Sequence, residues 1–331
     1  MTELEQHARK LLEALGQPEP QSKSVIPASV LEKHVAILGI TGSGKTYLSK
    51  HIAETLLEEE RRVCILDPTG VWWGLRSDSG GRNPAFPIYI FGGEHADIPL
   101  NHGAGAAIAE LIGTTDTSAI LDTRDFTIKQ RTIFLADFAE ALLQKNRNPL
   151  HLIIDEAHLM MPQRTSNAKA DRMLDAGNNL VSLGRGVGLR IVMISQRAAK
   201  LHKDSLTQSQ ALIAMRLIAP HDIRAAEDWI GEWASPQQGR ELISSLPSLP
   251  TGQGWVWAPE IGLLERMKFP RISTYDSSKA PTGSTRRSVA MAEVDASWIE
   301  LPEPEIEDEP PSEWKDRIEQ LESRIAALEN R

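Results

Sequence analysis

Three observations predict an α/β domain built on a mostly parallel sheet. A glycine-rich turn, Gly39-Ile40-Thr41-Gly42-Ser43-Gly44-Lys45-Thr46, joins an apolar run, Val35-Ala36-Ile37-Leu38, to a segment of helical periodicity. Further short apolar runs then alternate with helical patterns for more than 150 residues. One of these runs, Leu150 to Ile154, closes on two acids, Asp155-Glu156. Strand, turn and helix at this spacing make a phosphate-binding loop. Glycines let successive N–H groups face a polyphosphate, and the helix N-terminus adds positive potential. Gly39, Thr41, Gly42, Ser43, Gly44, Lys45 and Thr46 are therefore the expected nucleotide contacts, with Lys45 on the phosphates and the Thr46 hydroxyl on Mg²⁺.

In chain order, residues 3 to 15 carry an amphipathic pattern through Leu4, Ala8, Leu11 and Leu12, and 17 to 33 read as a proline-containing approach. Helix follows from Lys45 to Glu59, then a buried strand from Arg62 to Asp67, closed by Asp67-Pro68-Thr69-Gly70. Ser77 to Pro84 reads as a surface excursion. Phe86 to Phe91 and Ser118 to Leu121 read as strands around a helix at Ala104 to Leu111. A long helical pattern runs from Phe126 to Gln144, ahead of the strand at Leu150. Helix over Ala168 to Leu183 and strand over Leu189 to Ile194 come next, the latter closed by Ser195-Gln196-Arg197. A strand at Ala211 to Leu217 and a helix at His221 to Trp229 precede an antiparallel ending at Trp255 to Ala258 and Ile261 to Lys268.

This bounds the ATPase core at 25 to 271, after an N-terminal piece of residues 1 to 24. Residues 272 to 311 read as a polar, then acidic and proline-rich, linker. Residues 312 to 331 read as an amphipathic or coiled-coil helix, with Trp314, Ile318, Leu321, Ile325 and Leu328 at a/d spacing. The net charge of −9 lies entirely in Glu293 to Arg331, and the first 292 residues balance to zero. The acidity therefore belongs to the tail and does not argue against nucleic acid at the core. The single cysteine, Cys64, excludes an internal disulfide, no apolar run is long enough to span a bilayer, and the N-terminus has no secretory pattern. Together these point to the cytoplasm.

Asp155 is placed to hold Mg²⁺, and Glu156 to orient the attacking water and take its proton. Gln196, just past a neighbouring strand, is a candidate γ-phosphate sensor. Asp67 is either a contributor to the cofactor site or a turn-capping carboxylate. Arg185, between glycines in Gly184-Arg185-Gly186-Val187-Gly188, is a candidate finger into a neighbouring subunit's site, with Arg197 and Arg124 as rivals. His151 and His158 lack the Cys or carboxylate cluster of a metal site. Trp72 and Trp73 fit a stacking surface or a buried contact.

The ordered set of Gly39 to Thr46, Asp67-Pro68-Thr69-Gly70, Ile153 to His158, Gly184 to Leu189 and Ser195-Gln196-Arg197 resembles the HerA and FtsK class of P-loop ATPases, nearest the HerA central domain. The resemblance implies a RecA-like domain that forms a homo-oligomeric, hexameric ring, hydrolyses ATP with Mg²⁺ and translocates double-stranded DNA. It implies Lys45, Glu156, Gln196 and Arg185 as the catalytic set. It also implies work beside a nuclease or other effector, in DNA processing or anti-phage defence, for which the C-terminal tail is the expected docking element. Family members usually carry an N-terminal β-barrel, whereas about 25 residues precede the core here and do not read as strands. Two stretches, Arg76 to Arg82 and Met161 to Arg172, are candidate pore loops for phosphate contact. A secretion, conjugation or packaging ATPase, and an ATP-dependent scaffold or motor acting on a partner protein, are the alternative readings.

Overall fold

The computed structural model describes residues 26–231, 235–278 and 289–301. The N-terminal amphipathic pattern, residues 302 to 311 of the expected linker and the C-terminal helix lie outside them. Nine strands form one sheet: β1 (Val35–Leu38), β2 (Val63–Asp67), β3 (Tyr89–Phe91), β4 (Ala119–Asp122), β5 (Leu150–Ile154), β6 (Leu189–Ser195), β7 (Ala211–Ala214), β8 (Gln253–Ala258) and β9 (Leu263–Lys268). Their order is β3-β4-β2-β5-β6-β1-β7-β8-β9. The first seven in that order run parallel, and β8 and β9 complete the sheet antiparallel. The α/β architecture expected from the sequence is the one observed.

The helices are α1 (Ala28–Leu31), α2 (Lys45–Glu58), α3 (Gly105–Thr114), α4 (Ile128–Lys145), α5 (Ala168–Leu183), α6 (Lys203–Thr207), α7 (Pro220–Gly231) and α8 (Pro236–Ser245). Side-chain alternation splits the sheet's residues between two apolar layers. Ala36, Leu38, Cys64, Leu66, Leu152 and Ile154 face the layer that includes α3, α4 and α5. Val35, Ile37, Val63, Ile65, Ile153 and Ile194 face the layer that includes α1 and α2. Local signals start several helices. Thr127 and Gln130 form a reciprocal capping box on α4, Asn167 caps α5, and Ser235 followed by Pro236 opens α8.

The core does not stop at 271. Glu54 of α2 is buried and accepts the N–H groups of Ser273 and Thr274 and the Thr274 hydroxyl. Lys50 donates to the Ser277 hydroxyl at 2.9 Å, and Ser277 in turn donates to the Val71 carbonyl. Ala292 receives the Arg76 guanidinium, and the Trp298 indole donates to the Tyr89 hydroxyl. One compact unit therefore runs to Leu301. The linker expected from 272 is packed chain over 272–278 and 289–301, because polar composition conceals distant partners, Glu54 and Lys50 of α2 for the first stretch and Arg76 and Tyr89 for the second. Arg76 also corrects an expectation. It is 4% exposed and its Nη1 donates to both Asp97 oxygens, at 2.6 and 2.7 Å, so it is a structural tie and not a pore contact. Arg172 is paired with Asp137 and Glu140 of α4, while Arg164 and Lys169 are exposed.

Candidate functional site

Parallel strands bring their carboxyl ends to one edge of the sheet, where ligands of such folds bind. There the ends of β1, β2, β5, β6 and β7 present the loop from Gly39, then Asp67, Asp155-Glu156, Gln196 and Arg216. The loop needs its glycines. Gly42 and Gly44 have φ of 76° and 102°, and a Cβ on Gly39 would meet the Ser43 hydroxyl at 2.7 Å. Lys45 opens α2, is 7% exposed and donates to the Ile40 carbonyl at 3.0 Å. Burial lowers the pKa of its ammonium, against the pull of Glu156 and Asp155.

Facing it, burial raises the pKa of both Asp155 and Glu156, with Lys45 opposing in each case. Asp155 accepts the Glu156 N–H at 3.0 Å through Oδ1 and the Trp72 indole N–H at 3.0 Å through Oδ2. Glu156 sits at φ 46°, a left-handed backbone that costs a non-glycine residue about 1 kcal/mol or more. Its Oε2 is buried without a hydrogen-bond partner and lies 3.3 Å from His158 Nδ1. The same nitrogen is 3.2 Å from the Ser195 hydroxyl, at the end of β6. Gln196 follows, and its Oε1 accepts the Thr41 hydroxyl at 2.5 Å, joining the strand end to the phosphate loop. The expected set of Gly39, Thr41, Gly42, Ser43, Gly44, Lys45, Thr46, Asp155, Glu156 and Gln196 thus converges on one edge.

Asp67 reaches this edge in another capacity. Its Oδ1 accepts the Thr69 and Gly70 N–H groups at 2.9 and 2.7 Å, its Oδ2 the Trp72 N–H at 2.9 Å, and the residue is 1% exposed. That is the turn-capping geometry, and through Trp72 it reaches Asp155. Burial raises its pKa, and Asp155 adds to the effect. Arg185 is not at this edge. It is exposed and precedes the amino end of β6, near enough to His34, ahead of β1, to help lower that imidazole's pKa. Arg124 and Arg197 lie at the carboxyl edge of their own subunit, Arg124 close to Asp122 and Asp125. In this chain Arg185 can therefore serve a nucleotide site only in a neighbouring copy, whereas its two rivals sit in cis.

The sequence left Trp72 open between a stacking surface and a buried contact, and gave no role to Thr251, Gly252 or Arg216. Trp72 is fully buried and supports Asp155. The Gly252 N–H donates to the Ser43 carbonyl at 2.9 Å, and the Thr251 hydroxyl to Gly42 at 3.1 Å. Arg216 lies beside the Gly42 carbonyl. Residues 251 and 252 are two hundred positions from the loop in a stretch without a motif, so no local signal marks them. Arg216 was hidden inside the expected strand Ala211 to Leu217, and only the observed end of β7 at Ala214 puts it beyond a strand end.

Among the described residues no cluster of three or more His, Cys, Asp or Glu forms a metal cage, and no helix is long and apolar enough to cross a membrane.

Residues 16–159 match the family model for the Helicase HerA central domain. The chain is 27% identical over 124 residues to a probable DNA double-strand break repair helicase HerA of Methanocaldococcus jannaschii, covering 38% of this chain and 23% of that protein. It is 30% identical over 115 residues to the corresponding helicase of Pyrococcus furiosus, covering 35% and 19%. The match thus spans about a quarter or less of these relatives' length. Among solved structures, the plasmid coupling protein TrwB, in complex with a non-hydrolysable GTP analogue, superposes with a TM-score of 0.53 at 12% identity, covering 81% of this chain and 93% of that one. That likeness bears on the fold alone. The resemblance to HerA carried by the motifs is borne out by the family model and these relatives.

Proposed function

We propose that this chain is a Mg²⁺-dependent ATPase that acts as a ring of identical subunits and moves or remodels double-stranded DNA. The observation that carries the proposal is the convergence of a buried Lys45 with Asp155 and Glu156, beneath a loop tied to Gln196. Nucleotide suits these residues. The loop's left-handed glycines expose backbone N–H groups, and the Ser43 hydroxyl and Glu156 Oε2 are buried without partners. Thr46 and Asp155 would hold Mg²⁺, which when bound would supply positive charge to offset that of the phosphates.

The chain's own groups divide the remaining work. Lys45 holds the β- and γ-phosphates. Glu156 orients water and takes its proton on the carboxylate, and its raised pKa makes it a better base than an exposed glutamate. Gln196, bonded to Thr41, reports the state of the phosphates to β6. Arg185 of the adjacent copy completes the site. The DNA substrate follows the printed names of the HerA relatives, the ring follows the motif resemblance, and the balanced charge of the first 292 residues is compatible with DNA at the core.

Subunit mixing tests the shared site. Lys45→Ala and Arg185→Ala are each expected to lose ATP turnover alone and to recover part of it when mixed, because some interfaces then pair an intact Lys45 with an intact Arg185. Full turnover by Arg185→Ala alone would remove Arg185 from the mechanism.

A further inference from the structure

We propose that Arg216 is a second cationic contact for the nucleotide's phosphates, supplied in cis from the end of β7. The proposal rests on the nucleotide-binding reading of the loop and adds a residue to it. β7 pairs in parallel with β1, in the register Leu38↔Ala214, so the chain beyond both strands stays side by side. The Ile40 N–H donates to the Arg216 carbonyl at 2.8 Å, which fixes the backbone of residue 216 against the phosphate loop. The side chain turns to the loop's apex, where Nη2 lies 3.5 Å from the Gly42 carbonyl.

Two further facts point to an anion. Nε is buried and has no hydrogen-bond partner. Among the described residues no carboxylate forms an ion pair with Arg216. Arg61, Arg76 and Arg172 are each matched to acids, while Arg62 and Arg131, which also bury an unpartnered N–H, hold backbone carbonyls closely. A half-buried guanidinium with an orphaned N–H is costly unless something completes it. A carbonyl at 3.5 Å is a weak acceptor for a group built to fork onto phosphate or carboxylate. The position also differs from that of Lys45. Lys45 projects from the start of α2 toward Asp155 and Glu156, while Arg216 approaches from the β7 side, where Thr251 and Gly252 brace Ser43 and Gly42.

The test is calorimetric titration of the full chain with Mg²⁺–ATP and, separately, with AMP, for the wild type, Arg216→Ala, Arg216→Lys and Lys45→Ala. Loss of a charged hydrogen-bonding contact predicts that Arg216→Ala weakens ATP binding about ten- to a hundredfold while AMP binding changes less than about threefold, and that Arg216→Lys restores most of the difference. If Arg216→Ala binds ATP like the wild type while Lys45→Ala does not, the nucleotide site stands and the Arg216 assignment falls. If ATP and AMP weaken together and Arg216→Lys restores neither, Arg216 only braces the loop, which also overturns it. Absence of ATP binding by the wild type would remove the nucleotide reading itself.

Discussion

The two edges of the parallel sheet bury titratable groups of opposite kinds. The carboxyl edge gathers Asp67, Asp155 and Glu156 against Lys45, and burial raises the pKa of all three acids. The amino edge buries His34 and His151, each 3% exposed and each held down to a pKa of about 4, first by burial and then by arginines, with Arg190 acting on both. His34 Nδ1 accepts the Ile191 N–H at 3.0 Å, so a proton there would face a donor. His151 Nε2 meets the Leu31 carbonyl at 3.2 Å. These imidazoles tie strand ends and α1 together in their neutral form. Perturbed pKa values therefore mark both edges and do not identify the site by themselves. What distinguishes the carboxyl edge is the crowding of like-charged acids and the left-handed backbone of Glu156.

The contrast can be broken at several points. Glu156→Gln keeps the size of the side chain and removes its basicity. ATP turnover should fall on the order of 10²- to 10⁴-fold while nucleotide still binds, as read by single-turnover kinetics and titration. A retained rate would move the base elsewhere.

Acid should act through the other edge. A buried neutral histidine contributes stability that is complete above its unfolded pKa near 6.5 and is lost as pH falls toward the folded value. From 6.5 to about 4 this amounts to on the order of 3 kcal/mol for each of His34 and His151. Urea unfolding at pH 7.5 and 4.5 should show the loss, and His151→Gln should flatten it. An unchanged pH slope in that variant would show that His151 is not buried neutral.

Trp72→Phe keeps most of the ring but removes the N–H that Asp155 Oδ2 accepts. About 1–3 kcal/mol of stability should be lost, with a higher Mg²⁺ requirement for turnover. A normal Mg²⁺ requirement would leave Trp72 as packing alone. Arg172→Ala should change stability by about 0.5 kcal/mol or less, since its bonds to Asp137 and Glu140 are exposed. A larger loss in calorimetry would mean that this network matters more than exposed ion pairs usually do.

The parallel sheet and the phosphate loop were legible because each rests on short-range pattern. Buried strands read as apolar runs, and the loop's residues are consecutive. The order Lys45, Asp155, Gln196 was readable because strand ends in such a fold share an edge. Long-range ties escaped. Nothing near Glu54 signals that it holds Ser273 and Thr274, and a polar, serine-rich stretch reads as linker when its partners are unseen. Arg76 looked like a loop cation because Asp97, its partner, is 21 residues away. Asp67 was ambiguous for the same reason. A carboxylate at a strand end can serve a ligand or a turn, and only the hydrogen bonds to Thr69, Gly70 and Trp72 show that it caps the turn.

ATP hydrolysis by the wild type and by Glu156→Gln, with and without linear double-stranded DNA, separates a DNA motor from other ATPases when light scattering reports the mass of each species. A DNA motor is a ring whose turnover rises with DNA and disappears in Glu156→Gln. A ring that hydrolyses ATP at one rate whether or not DNA is present would contradict the DNA-motor reading.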